Sequence, residues 1–442
     1  MPVSPARAAA FDILHRIEQE DAYASELLHS SRYSKLSSAD HALTTELAMG
    51  VLRWRSWLDH LIAQSSSQPL AKLDLEVLTA LRIAAYQIVF LERVPKRAAI
   101  FESVELVKRA RKRSAAAFAN AVLRKLSAQP HVAPSMAGSH KAAELADASA
   151  HPLWLVERWL KEFGPDIAKQ MCAYGQHPPQ SAIRVHDRSI EKELTAEGIE
   201  LAPGAIVSSA RRVLSGKISN TRAFREGGVF IQDEGSQLVA LLVGRGSSIL
   251  NCCAAPGGKT RILAERNPEA KIVAVELHPH RARLLQKLVT AENVTVVNAD
   301  VCELPLTQQF ERVLVDVPCS GTGTLARHPE IKWRLKTDDF ADLQARQLAI
   351  LQSAMKHLAP GGKLVYSTCS LEQEENEEVV EKALTARPSF QQLDCREELE
   401  RLCSEGKLAW KDITSLTRGF YLRTIPGVHP CDGFFATILQ KT

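Results

Sequence analysis

Between Ala8 and Leu126 apolar residues return at three- and four-residue steps, as in Leu78, Leu81, Ala85 and Ile88 or Val104 and Val107. That is the spacing of one helix face. No alternating run interrupts it, so residues 1–130 are expected to form an all-helical domain. Residues 131–151 lose the period among Pro134, Gly138 and many Ala and Ser residues, and read as a linker. Residues 152–234 are mixed: a helix through Leu155, Trp159 and Phe163, a short strand at 181–186 and a helix near 190–197 predict a small α+β module. From residue 235 to 442 strands and helices alternate, the mark of a doubly wound parallel sheet. Its expected strands are 248–252, 272–276, 294–298, 313–316 and 363–368. Helices at 279–288 and 343–358 fill gaps between them, the second closed by Pro360-Gly361-Gly362. The tail from 419 to 439 reads as a final pair of strands turning at Pro426-Gly427. In such sheets ligands sit at the carboxyl ends of the strands, where the chain order reverses.

A chain of 442 residues exceeds one hydrophobic core, so two or three domains are expected. Its 45% hydrophobic and 24% charged residues are an ordinary soluble composition. The N-terminus lacks a secretory apolar region, since Asp12, Arg16 and Glu18 interleave with Phe11, Leu14 and Ile17. The longest apolar stretch, 81–91, contains Arg82 and falls short of the ~20 residues that span a bilayer. A cytoplasmic protein without a membrane partner is expected. Nine cysteines with no Cys-x-x-Cys pair argue against both a disulfide framework and a metal site, which leaves free thiols.

The net charge of +4 is modest, but its distribution is uneven. Residues 1–126 hold 18 basic against 13 acidic residues, while the rest holds 37 against 38. Lys108, Arg109, Arg111, Lys112 and Arg113 concentrate five charges, an arrangement suited to RNA phosphates. A solvated helix end, whose dipole favours cations, explains the same cluster equally well.

The sheet region carries the chemistry. Ala254-Ala255-Pro256-Gly257-Gly258-Lys259-Thr260 follows the first strand and opens a helix, so backbone can approach a ligand and free N–H groups face it. Glu276 ends the second strand, where a carboxylate accepts from ribose hydroxyls. Asp300 follows the third, within reach of an adenine amine. The dinucleotide fingerprint is absent, which disfavours NAD and favours an adenosyl ligand without pyrophosphate, S-adenosylmethionine.

Two thiols complete the pattern: Cys319 in Asp316-Val317-Pro318-Cys319-Ser320-Gly321 and Cys369 in Ser367-Thr368-Cys369-Ser370. Cytosine C5 is a poor nucleophile until a thiolate adds at C6 and turns the ring into an enamine. Such catalysis needs an attacking cysteine, an acid near N3 and a base for the C5 proton. Asp316 suits N3, and the cysteines supply one attacking thiol and one that assists release. A lone buried cysteine is usually a small core hydrophobe. Two at strand ends, facing one crevice, reverse that judgement.

These segments resemble motifs of the NOL-NOP-Sun group of RNA cytosine-C5 methyltransferases. Val51-Leu52-Arg53, the segment 81–87, Arg93-Val94-Pro95 and the segment 120–124 are similar to the NusB-type RNA-binding fold. The combination resembles the bacterial 16S ribosomal RNA methyltransferase B family, called Sun or Fmu, over nearly the whole chain. The resemblance implies an α/β fold, a Rossmann-like S-adenosylmethionine-dependent methyltransferase sheet preceded by an all-α NusB-like domain and a small α+β module that binds RNA. It also implies Cys369 as nucleophile and Cys319 as the thiol that helps release product; beside them Asp316, at N3, and Lys259, a cation where cofactor and substrate meet, read as further catalytic residues. The cofactor would contact Cys253, Ala254, Ala255, Pro256, Gly257, Gly258, Lys259, Glu276, Asp300 and Asp316. The partner implied is 16S rRNA before full subunit assembly, bound by a monomer. Asn251, Glu311 and His186 depart from the family pattern, standing where Asp, Asp and Asn are usual.

Two features stay open on sequence alone, and a third has one reading. His328 and Trp333 stack on the target base or pack their loop; Gln232-Asp233-Glu234 lines the cofactor pocket or caps the next helix. The acidic run 372–378 reads as the solvated, dipole-matched start of a helix.

Overall fold

The computed structural model describes residues 3–20, 22–131, 134–139, 141–185, 187–304 and 307–442. The chain divides into two compact units, Met1–Pro178 with Leu325–Arg334, and Pro179–Thr324 with Leu335–Thr442.

The first unit is helical, as the three- and four-residue periodicity requires. Helices Pro5–Glu20, Ser38–Ser65, Leu75–Phe90, Lys96–Arg109 and Ala116–Ser127 enclose one core containing Ile13, Leu47, Leu58, Ile62, Leu81, Ile83 and Leu106. Ser37 accepts from the Asp40 N–H and caps the long second helix of that set. The expected linker contains a helix, Ala142–Ser149, whose alanine-rich face buries Leu145 and Ala146. Helix Leu153–Gly175 also belongs to this unit; Gly164, at φ 78°, breaks its helical path just before Pro165.

Leu325–Arg334 is the largest departure from expectation, since it continues the Cys319 loop in sequence but folds into the helical unit. Buried Glu330 accepts from the Ala24 N–H, Arg53 donates to the Ala326 carbonyl, and Trp333 Nε1 donates to the Leu52 carbonyl at 2.6 Å. Lys332, only 2% exposed, donates to the carbonyls of Arg53 and Ala150, both at 2.9 Å. His328 meets the Tyr23 ring edge-on. His328 and Trp333 therefore pack their segment within this unit.

The second unit begins with a four-stranded antiparallel sheet, β1 (Ala182–Val185), β2 (Glu200–Pro203), β3 (Ala210–Ser215) and β4 (Val229–Ile231), ordered β2-β3-β1-β4. Only β1 was visible in sequence; the others are short or polar. His186 lies outside the described residues. The larger sheet holds β5 (Ser248–Cys252), β6 (Lys271–Glu276), β7 (Val294–Asn298), β8 (Phe310–Asp316), β9 (Leu358–Thr368), β10 (Phe390–Leu393), β11 (Thr417–Arg418), β12 (Tyr421–Thr424) and β13 (Phe434–Lys441). Its parallel part runs β7-β6-β5-β8-β9. The sheet is mixed rather than parallel throughout, because β13 adds antiparallel to β9, with β12, β11 and β10 extending that side. The helix before β9 stops at Lys356, and the strand itself begins at Leu358 and includes the Pro-Gly-Gly segment.

Candidate active site

β5 lies mid-sheet, and the chain leaves it toward β6 on one side while β8 occupies the other, which opens a crevice between the carboxyl ends of β5 and β8. Cys253 follows β5 in the left-handed conformation at φ 56°. Gly257, at φ 116°, starts helix Gly258–Arg266; a Cβ there would come within 2.6 Å of Val289. One on Gly258 would stand 2.9 Å from Phe230. The glycines therefore let the turn lie flush against β4 on one side and helix Pro279–Leu288 on the other.

Cys253 to Lys259, Asn251, Phe230, Gln232 and Asp316 wall a 120 Å³ cavity. Asn251 Nδ2 donates to Thr260 Oγ1 at 2.8 Å, while Asn251 Oδ1 and Gln232 Oε1 are buried and accept no hydrogen bond among the described residues. Buried acceptors need donors, and the ammonium of an amino-acid ligand carries three. Asn251, though not the usual Asp, fits that role. Glu276 is buried beside the turn, accepting from the N–H groups of Ala255 at 3.3 Å and His278 at 3.1 Å. Burial first, then the carboxylates of Asp316 and Glu276, pushes the Cys253 thiol up to about 12. Asp300 is exposed at the end of β7, accepts from the Cys302 N–H at 2.8 Å, and does not wall the cavity. The triplet Gln232-Asp233-Glu234 divides its labour. Gln232 faces the cavity, Asp233 caps helix Glu234–Leu242, and buried Glu234 accepts from the N–H groups of Ala205, Ile206 and Val207.

Across the crevice Lys259 Nζ lies 2.7 Å from Asp316 Oδ2, and Ser367 Oγ donates to Asp316 Oδ1 at 2.8 Å. Lys259 also stands 5.1 Å from the centre of the Phe434 ring. The sulfurs of Cys319 and Cys369 are 3.3 Å apart. The hydrogen bond with Cys369, then burial, holds the Cys319 thiol well above its ordinary range.

A residue that sequence reasoning passed over holds the two thiol loops together. Glu375 lies in the acidic run read as solvated, yet it is fully buried. Its carboxylate accepts from the Ser320 N–H and Gln347 Nε2, both at 2.8 Å, and from the hydroxyls of Ser320 and Ser370. Four donors satisfy a charge that burial would otherwise penalise heavily. The sequence offers only an indirect hint: each cysteine is followed by a serine. Asn376 adds a bond to the Ser370 carbonyl at 3.0 Å, and the Gly323 N–H donates to the Cys369 carbonyl at 2.9 Å. A Cβ on Gly323 would fall 2.8 Å from that carbonyl oxygen, so the approach of the loops requires glycine.

The other expected site residues lie elsewhere. Glu311 accepts from the Ser247 N–H at 2.8 Å at the start of β8, far along the strand from Asp316. In the basic cluster Lys108 pairs with Glu105 at 2.7 Å, and Lys112 with Asp74 at 3.1 Å. Arg109, Arg111 and Arg113 are exposed and form no ion pair among the described residues. All nine cysteines are free, and no described helix is long and apolar enough to cross a membrane.

Three family models match the chain: the 16S rRNA methyltransferase RsmB/F over residues 239–440, the NusB family over 4–128, and the RsmF/B-like ferredoxin-like domain over 151–216. A probable ribosomal RNA small subunit methyltransferase B of Bacillus subtilis is 34% identical, covering 100% of each chain. The ribosomal RNA small subunit methyltransferase B of Vibrio cholerae is 31% identical over 98% of this chain and 97% of its own. Among solved structures, that of PH0851 matches with a TM-score of 0.79 and 22% identity over 99% of both chains. NSun6 from Pyrococcus horikoshii with SFG matches at 0.56 and 21%, covering 66% of this chain and 99% of its own. The fold is thus a NusB-like helical domain followed by a Rossmann-like methyltransferase sheet.

Proposed function

Because the chain belongs to the ribosomal RNA small subunit methyltransferase B family, we propose that it methylates C5 of a cytosine in 16S ribosomal RNA, using S-adenosylmethionine and a covalent cysteine–C6 adduct. The observation that carries this reading is the pair of sulfurs 3.3 Å apart beside the Lys259–Asp316 ion pair. A methyltransferase acting on nitrogen or oxygen needs no thiol; addition to a pyrimidine needs one to attack.

Asn251 and Gln232 would receive the cofactor's ammonium, the turn 254–258 its main body and Glu276 its ribose, with the adenine reaching beyond the cavity to Asp300 after β7. When bound, S-adenosylmethionine supplies an electrophilic methyl group to C5. Cys369 adds at C6 as the thiolate, its proton having gone to solvent, and the Lys259 ammonium, held beside the ring by Asp316, donates to the N3 side, where negative charge develops. Cys319, held as the neutral thiol 3.3 Å from Cys369, serves the later stage, when the C5 proton leaves and the C6–sulfur bond breaks with its electron pair returning to the Cys369 sulfur. Replacing each cysteine tests this order. Cys369→Ala should form no adduct and no product, whereas Cys319→Ala should accumulate a protein–RNA species that survives denaturing electrophoresis. Methylation retained in both variants would eliminate the covalent mechanism, and bisulfite sequencing of the RNA product reads the C5 assignment directly.

A further inference from the structure

On the other side of the glycine turn lies a second, larger cavity of 520 Å³, within the size range of ligand sites. It shares Phe230, Ile231 and Pro256 with the cofactor cavity, so the two spaces adjoin. Three cations line it. Arg261 lies with its guanidinium 5.1 Å from the centre of the Phe230 ring and donates to the Gly227 carbonyl at 2.6 Å. Arg225 and Lys287 are exposed and form no ion pair among the described residues. The acid on this wall, Glu226, pairs with Arg222 at 2.7 Å, and nearby Glu265 pairs with Arg184 at 2.8 Å. Uncompensated positive charge therefore borders a partly apolar floor, where Ile231 remains 44% exposed.

We infer that this groove seats a single-stranded RNA segment flanking the target nucleotide, with Arg225 and Lys287 on phosphates and the Phe230–Arg261 pair as a stacking platform for a base. The inference rests on the reading of the chain as an RNA methyltransferase. Cations that track a backbone, beside planar groups that accept any base, are what single-strand binding requires. An acidic polypeptide would use the cations but leave the platform idle. The groove's junction with the cofactor cavity places a bound nucleotide next to the turn that carries Lys259.

The test compares the full chain with its Arg225→Gln/Lys287→Gln double variant on a transcribed 16S rRNA fragment. Both side chains are exposed and neither belongs to the catalytic machinery. The double variant should raise the KM for RNA at least fivefold with kcat at saturating RNA unchanged. It should also flatten the slope of log affinity against log salt by about 1.4, taking ~0.7 per single-strand phosphate. An unchanged dissociation constant and salt slope would overturn the groove, whether or not the protein methylates the fragment. Wild-type protein that leaves every cytosine unmethylated would instead overturn the catalytic reading, and the binding measurement would still decide the groove. Poly-glutamate displacing wild-type RNA as well as an oligoribonucleotide of equal charge would assign the groove to an acidic polypeptide.

Discussion

Glu375 shows how a buried charge sets the geometry of two loops that sequence separates by fifty positions. Each oxygen accepts two hydrogen bonds, and the donors come from the Cys319 loop, the Cys369 loop and the helix carrying Gln347. Glu375→Gln keeps the shape but replaces one oxygen with an amide nitrogen, which faces N–H and O–H groups it cannot accept from. Hydrogen bonds to charged groups contribute about 1.5–3 kcal/mol each, so denaturant unfolding should show a loss of that order and turnover should fall with it. A variant matching the parent in both stability and kcat would mean that the thiol loops hold their spacing without the carboxylate. The thiols and Asp316 stood out in sequence because each sits at or just past a strand end, and Lys259 because it follows the glycine turn into the first turn of a helix. Glu375 was not, because an acid within Glu-Gln-Glu-Glu-Asn-Glu-Glu looks like a solvated helix start. Its burial depends on donors far away in the chain.

Elements with a strong period were legible, and those held mainly by tertiary contacts were not. The parallel strands β5 to β9 announce themselves as apolar runs, while β2 to β4 are short strands that alternate neither cleanly nor for long. Segment Leu325–Arg334 is the hardest case, since its place in the helical unit rests on Lys332, an amine within a hydrophobic neighbourhood. Burial, then the charge of Arg53, lowers that amine to about 7. A neutral amine has two hydrogens, and the carbonyls of Arg53 and Ala150 accept both. An unfolded lysine titrates near ~10.4, so from about pH 7 upward the unfolded chain binds the extra proton and stability rises with pH; it is lost again as pH falls toward 7. Cys172, raised to about 11 mainly by burial, acts oppositely above about pH 8.5, where unfolded thiols ionise. His151, lowered chiefly by burial and then by Lys332, adds its own loss below about pH 6.5. The window of rising stability is therefore about pH 7 to 8.5, with a slope of at most about 1.4 kcal/mol per pH unit. Lys332→Met should abolish that rise, read by hydrogen exchange of the helical unit. A slope that persists in the variant would place its origin in another group.

At the scale of the whole molecule, charge separates the two units. The basic surplus of residues 1–126 belongs to the helical unit, and clustered cations supply the salt-dependent part of nucleic-acid affinity only where they are free to release counterions. Sequence shows where such charges lie but not which are already engaged, because partners such as Asp74 lie on a different helix entry from the cluster. Lys108 and Lys112 are committed to carboxylates, whereas exposed Arg109, Arg111 and Arg113 are free among the described residues. If these arginines meet phosphates, their joint replacement by Gln should flatten the salt slope of 16S rRNA binding by roughly 2–3, at about 0.7–0.9 per contact. The Lys108→Gln/Lys112→Gln variant should leave the slope near that of the parent. Affinity for S-adenosylmethionine should be the same in all three proteins, since the cavity walled by Cys253 to Lys259, the proposed cofactor site, lies wholly in the other unit. Equal slopes for both variants and the parent would return the cluster to a solvated helix end and leave the second unit to carry RNA recognition.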